Sequence, residues 1–108
     1  MSKNKGFSET SAGRYSLALY ELATEANMLS EIEVHSASII NLITLSEDFK
    51  SLIKDPTNNK KDQLNALNKI SDQYKLNELL TKFLNFLISK RRFFYVEKIL
   101  KSFVDTCS

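Results

Sequence analysis

Between Arg14 and Ala26 the chain reads "RYSLALYELATEA", and its few charges gather on one side. At about 100° per residue, Arg14, Glu21 and Glu25 fall in a single narrow polar stripe. Tyr15, Ala18 and Leu22 lie on one flank of that stripe, and Leu19, Ala23 and Ala26 continue the flank round the helix. Leu17 and Tyr20 sit nearly opposite. Leu, Ala and Glu are strong helix formers and neither Gly nor Pro interrupts them, so the pattern predicts a helix over about 11–26. Ser8, Thr10 and Ser11 offer N-caps and Asn27 a C-terminal break. A surface helix in a small domain needs one apolar stripe. This one is apolar over most of its circumference. Either it is packed on several sides, or something besides its own core covers part of it.

The rest of the chain is more regular. Leu29, Ile32, Ser36, Ile39 and Ile43 recur at spacings of 3 and 4, which predicts a second helix over about 28–45. Ser46 caps a short third helix, "EDFKSLIK", whose acidic start suits the helix dipole. Asp55-Pro56 ends it, because the residue before Pro is pushed out of the helical region, and "TNNK" is the loop. Leu64, Leu67, Ile70 and Tyr74 mark a fourth helix over about 60–74. After a turn at Leu76-Asn77 comes "ELLTKFLNFLISK", as over-rich in apolar residues as the first helix. Arg91-Arg92 separates it from a last helix over about 93–105, built on Val96, Ile99, Leu100 and Phe103. The expected architecture is all-α: a compact bundle of six helices in one domain over 11–105, preceded by a flexible arm over 1–10.

Composition supports helices. There are two glycines and one proline in 108 residues, too few for the tight turns of an all-β chain. Net charge is +2, which does not by itself argue for nucleic acid. The second half is mildly basic: residues 55–108 hold ten Lys/Arg against six Asp/Glu, where residues 1–54 hold five against seven. No apolar run approaches the roughly 18 residues that span a bilayer. The start lacks the apolar core of a secretory signal. Cys107 is the single cysteine, so no internal disulfide is possible, which fits a reducing compartment; it reads as an incidental thiol.

Catalytic chemistry finds little support. His35 is the only histidine and shares a face with Met28, Ile32, Ile39 and Leu42, so it edges a packed surface. No Cys or His stands at ligand spacing around it, and no metal is expected. Gly6 and Gly13 make no phosphate loop, and no cofactor is expected. The run "SKRRFFYVEK" mixes Lys90, Arg91 and Arg92 with Phe93, Phe94 and Tyr95. That mix is found in nucleic-acid binders. The stronger reading is that the cations complement the dipole at a helix C-terminus and the aromatics at helical spacing are core. What remains is the apolar excess of the first and fifth helices, which could form a groove for a partner's amphipathic helix.

"AGRYSLALYELATEA" resembles the first helix of the ATP synthase delta-subunit family, whose mitochondrial member is the oligomycin sensitivity-conferral protein. "FKSLIKDPTNNKKDQLNAL" and "LTKFLNFLISKRRFFYVEKILKSF" are similar to the family's later segments, in the same order, so the resemblance spans about residues 12–104. It departs at "K-R-R", where Arg91 stands for a glycine that commonly closes the fifth helix. The family continues into a second, β-containing domain, so this chain is expected to be the N-terminal domain alone.

The resemblance implies a six-helix bundle that catalyses nothing itself. It implies a stator role, in which a groove between helices 1 and 5 holds the N-terminal helices of the alpha subunits on the catalytic head. Tyr15, Ala18 and Leu22 would form one wall, and Leu79, Phe83 and Phe86 the other. Leu19, Ala23, Leu80, Leu84 and Leu87 would face the core, and Leu17 finds no place in this scheme. The absent second domain would grip the b subunit of the peripheral stalk. The location implied is the cytoplasmic face of the bacterial inner membrane, peripheral, without membrane insertion and without nucleic acid. A helical RNA- or DNA-binding module, or an unrelated helix-binding adaptor, is the competing reading.

Overall fold

The structure, a computed structural model, describes residues 7–55 and 57–108, with side chains from residue 11 onward. Six α-helices follow one another: α1 (Phe7–Glu25), α2 (Leu29–Leu45), α3 (Glu47–Lys54), α4 (Lys60–Tyr74), α5 (Glu78–Ser89) and α6 (Val96–Cys107). No strand occurs among the described residues. The Cα radius of gyration is 13.3 Å, against about 13 Å for a packed chain of this length, so the helices pack closely on one another.

Two helix starts differ most from the sequence pattern, and the last helix runs on to Cys107. Helix α1 starts at Phe7, so Ser8, Thr10 and Ser11 lie inside it rather than ahead of it. Of the arm expected over 1–10, residues 7–10 are helical and residues 1–6 lie outside the described part. The last helix opens with one 3₁₀ turn, Phe93–Tyr95, before α6 begins. Pro56 also lies outside the described residues, but Asp55 before it is extended (φ −75°, ψ 115°), as expected of a residue preceding Pro. Ser46 Oγ accepts from Phe49 N–H at the start of α3, the predicted cap. Tyr74, expected on the buried face of α4, is exposed instead, because it stands in the last turn as the helix ends.

The centre of the bundle is α6. Its Val96, Ile99, Leu100 and Phe103 are all fully buried, at the i, i+3, i+4, i+7 spacing of one stripe. Both α1 and α2 pack along it. On α1 the buried stripe is Ala12, Ser16, Leu19 and Ala23. Its small residues let the axes approach closely enough for Ser16 Oγ and Ser102 Oγ to share a hydrogen bond of 2.9 Å. Tyr20 meets Phe103 edge-on, with ring centroids 6.4 Å apart. From α2, Ile32, Ser36, Ile39 and Ile43 are buried.

Three helices end in the same way. Asn27, Lys75 and Arg91 take positive φ (58°, 53° and 58°). The following amide closes each end by bonding five residues back: Met28 N–H to Ala23 O, Leu76 N–H to Ser71 O, and Arg92 N–H to Leu87 O. This is the Schellman closure, usually made with Gly. Both glycines of the chain lie before residue 14, so none is available. Helix α5 therefore closes at Arg91 even without the glycine, with a non-Gly residue in the left-handed region at a cost of roughly 1–2 kcal/mol.

A buried polar knot fixes where α5 begins. Asn77, only 6% exposed, is the N-cap: its Oδ1 accepts from Leu80 N–H at 3.1 Å. Its Nδ2 donates to Glu31 Oε2 at 3.0 Å and lies 3.4 Å from Met28 Sδ. Its backbone N–H donates to His35 Nδ1 at 2.8 Å. The half-buried His35 is thus a structural acceptor that ties α2 to the start of α5. Because Nδ1 accepts, the ring proton of the neutral imidazole belongs on Nε2.

Two stability predictions follow from these ends. Asn77→Ala removes the cap on Leu80 N–H and strands the Glu31 acceptor, while the backbone bond to His35 is kept, and should destabilise the fold by about 1–2 kcal/mol; an unchanged urea midpoint would refute the knot. Lys75→Gly and Arg91→Gly relieve positive-φ strain and should each stabilise by about 0.5–1 kcal/mol, read as a raised melting temperature.

Candidate functional site

Helix α1 uses one stripe against α6. About 100° round the same helix, Tyr15, Ala18 and Leu22 form a second apolar stripe that α6 does not reach. Helix α5 buries Leu80, Leu84, Leu87 and Ile88 in the core. That leaves Leu79, Phe83 and Phe86 along the edge nearest α1. Between the two edges runs a groove of about 520 Å³, lined by all six of these residues together with Arg14 and Lys82.

The geometry refines the individual parts. Phe83 is 6% exposed and forms floor rather than wall. Leu22 and Phe86 are 43% and 45% exposed and form lips. Tyr15 and Phe86 meet edge-on across the groove, centroids 6.3 Å apart and planes at 61°, so one wall braces the other. Lys90 Nζ sits 5.8 Å from the Phe86 ring, within cation–π range. Between these aromatics Ala18 presents only a methyl group, which leaves width for an incoming backbone. Leu19, Ala23, Leu80, Leu84 and Leu87 are buried in the core. Leu17 is exposed and belongs to neither surface.

Arg14 and Lys82, both exposed, also line the groove, and sequence reasoning had left them out. Each directly precedes a groove aromatic, Tyr15 and Phe83, and that adjacency was the available signal. The basic run divides. Lys90 belongs with Phe86, and Arg92 Nη1 reaches the carbonyls of Lys90 and Arg91 at 3.4 Å, at the C-terminal end of α5. Arg91 faces a different cleft.

The lining contains no carboxylate, imidazole or thiol. What such a surface can do is bury apolar area and exclude water. Among the described residues no group of three or more His, Cys, Asp or Glu could hold a metal ion, and no helix is long and apolar enough to cross a membrane. Cys107 ends α6, half-buried. Burial, aided by the charge of Glu33, pushes its thiol up, so it stays protonated and weakly nucleophilic.

Known proteins share this fold and sequence. Residues 12–108 match the family model described as ATP synthase delta (OSCP) subunit. The chain is 91% identical over all 108 residues to ATP synthase subunit delta of Pelagibacter ubique, covering 58% of that protein. It is 35% identical over 92 residues, 85% of this chain and 50% of the relative, to ATP synthase subunit delta of a Chelativorans species. It thus spans about half the length of the curated relatives it matches. A chain in the cryo-EM structure of the Toxoplasma gondii mitochondrial ATP synthase hexamer has the same fold: the TM-score is 0.80 at 24% identity, over 85% of this chain and 51% of that one. With the family model matched over residues 12–108 and a relative 91% identical over all 108 residues, this chain belongs to the ATP synthase delta (OSCP) subunit family.

Proposed function

We propose that this bundle is a non-catalytic stator element of an F-type ATP synthase, holding an amphipathic N-terminal helix of an alpha subunit in the groove between α1 and α5. One observation supports the reading: the six residues expected to contact the partner line a single, mainly apolar groove. The bundle's own packing leaves the apolar stripe of α1 partly exposed, where it can meet another molecule. In this role the domain fastens the catalytic head to a peripheral stalk, so that rotor torque drives ATP chemistry rather than turning the head. It acts at the cytoplasmic face of the bacterial membrane without entering it. The stalk b subunit is engaged by a further domain, which the relatives' greater length accommodates.

The chemistry of the grip follows from the lining. Tyr15, Leu22, Leu79, Phe83 and Phe86 supply rigid apolar and aromatic area at low entropic cost, the usual make-up of interface anchors. Ala18 sets how near the partner backbone comes. Arg14 and Lys82 favour acidic residues on the partner's flanks, at about 0–1 kcal/mol each because they are solvated. Affinity should therefore depend weakly on salt, whereas a nucleic-acid complex would weaken steeply with it.

Titration calorimetry with a synthetic peptide of the cognate alpha subunit's N-terminal segment tests the reading. The expected result is one-to-one binding, nearly insensitive to salt. Ala18→Asp buries an unpaired carboxylate against the incoming helix and should abolish binding, with an unchanged circular dichroism spectrum because Ala18 is exposed in the free domain. Retained affinity in that variant would remove the groove assignment.

A further inference from the structure

A second cleft, of about 320 Å³, lies where the end of α3, the start of α4 and the turn before α6 meet. It shares no residue with the α1–α5 groove. Lys54, Lys60 and Arg91 converge on it, around an aromatic base of buried Phe93 and half-exposed Phe94. A shallower depression continues from it past Lys54 and Phe94 towards Lys101. We infer that this cleft is a docking site for an acidic peptide segment of a partner protein, with an apolar side chain of the segment set on Phe94 and its carboxylates on Lys54, Lys60 and Arg91.

Four observations carry this. First, none of these three cations forms an ion pair with a described residue, although Lys101 nearby pairs with Glu97 at 3.2 Å. Second, Phe94 is 49% exposed while its neighbour Phe93 is buried. It lies against Tyr95 with centroids 4.2 Å apart and planes tilted by 36°, so one side of the ring is braced. Third, Arg91 occupies its left-handed position (φ 58°) at an energetic cost that Gly would avoid, and its side chain lines the cleft. Of the three residues that close helices in this way, Arg91 is the one whose side chain lines this cleft.

The fourth concerns the one carboxylate there, Asp55. Its Oδ1 accepts from both Thr57 N–H (2.9 Å) and Thr57 Oγ1 (2.8 Å), which holds the carboxyl below its usual range and keeps it charged. Its Oδ2 has no partner among the described residues. A peptide brings N–H donors that can satisfy Oδ2. A phosphodiester backbone carries only acceptors and offers Oδ2 no donor, so the site favours an acidic peptide over nucleic acid. The frame is cross-linked: Asn58 Nδ2 of the loop and Gln63 Nε2 of α4 both donate to Leu52 O of α3, at 3.2 and 3.1 Å.

The test titrates the 108-residue chain with a short labelled peptide carrying one phenylalanine between runs of glutamate, followed by fluorescence anisotropy. Parallel titrations use the same peptide with alanine for phenylalanine, and oligothymidylate of equal length. The expected result is saturable binding of the phenylalanine peptide that weakens with salt, with weaker binding of the alanine peptide and of the oligonucleotide. Arg91→Gly combined with Lys60→Ala should weaken binding roughly tenfold while the melting temperature rises or holds, so misfolding cannot explain the loss. Phe94→Ala should remove the preference for the phenylalanine peptide. Ala18→Asp, in the separate groove, should leave the titration unchanged. No saturable binding, undiminished binding in the double variant, or oligothymidylate binding as tightly as the peptide would each overturn the assignment.

Discussion

A single helix can offer one face to the centre of the bundle, and that restriction on α1 organises everything else. Its Ala12, Ser16, Leu19 and Ala23 stripe is committed to α6, where small side chains allow close approach and the Ser16–Ser102 bond. The second stripe of Tyr15, Ala18 and Leu22 then has nowhere to go within the domain. Burying it against α6 as well would require turning α1 by about a quarter of a revolution, which would expose Leu19 and Ala23. The groove is the geometric remainder of good core packing. The sequence keeps it apolar instead of filling it with charge.

The other wall depends on a different kind of interaction. Helix α5 packs most closely with α4, and its starting point is set by hydrogen bonds. Asn77 uses its N–H, its amide and its carbonyl together, reaching α2 through His35 and Glu31 and α5 through Leu80 and Thr81. Hydrogen bonds suit this task because they are directional, whereas hydrophobic contact tolerates sliding. If the start of α5 slipped, Phe83 and Phe86 would shift along Tyr15, and the edge-on ring contact across the groove would be lost. The only histidine of the chain thus serves the site indirectly, by holding a cap in place.

The two surfaces differ in chemistry as well as position. The α1–α5 groove is apolar, braced by aromatics and edged by two cations. The α3–α4–α6 cleft is cationic around a half-exposed ring. Both are assembled at helix ends or edges, where a rigid scaffold presents side chains it does not need for its own core. Arg91 joins the two themes: it closes α5 in a conformation that glycine would adopt more easily, and that closure turns its side chain into the cleft.

Much of this was legible in the chain. Periodicity marked all six helices, because a 3.6-residue repeat of apolar positions is a local signal that burial against any neighbour produces. The Ser46 cap, the Asp55 stop and the break at Asn27 were equally local. The excess of apolar residues on the first and fifth helices pointed to a groove, and the family resemblance, which spans both helices, named the six residues that line it. The sequence could not say that α6 is the centre, since its own stripe is no wider than that of α2. Nor could it show that Phe83 is floor and Phe86 lip, that His35 accepts from Asn77, or that Lys54, Lys60 and Arg91 meet. Those outcomes depend on contacts between residues far apart in the chain, up to 86 positions for Ser16 and Ser102. A helix's own sequence fixes the width of its apolar face, while the neighbours that pack against it decide which part of that face is covered.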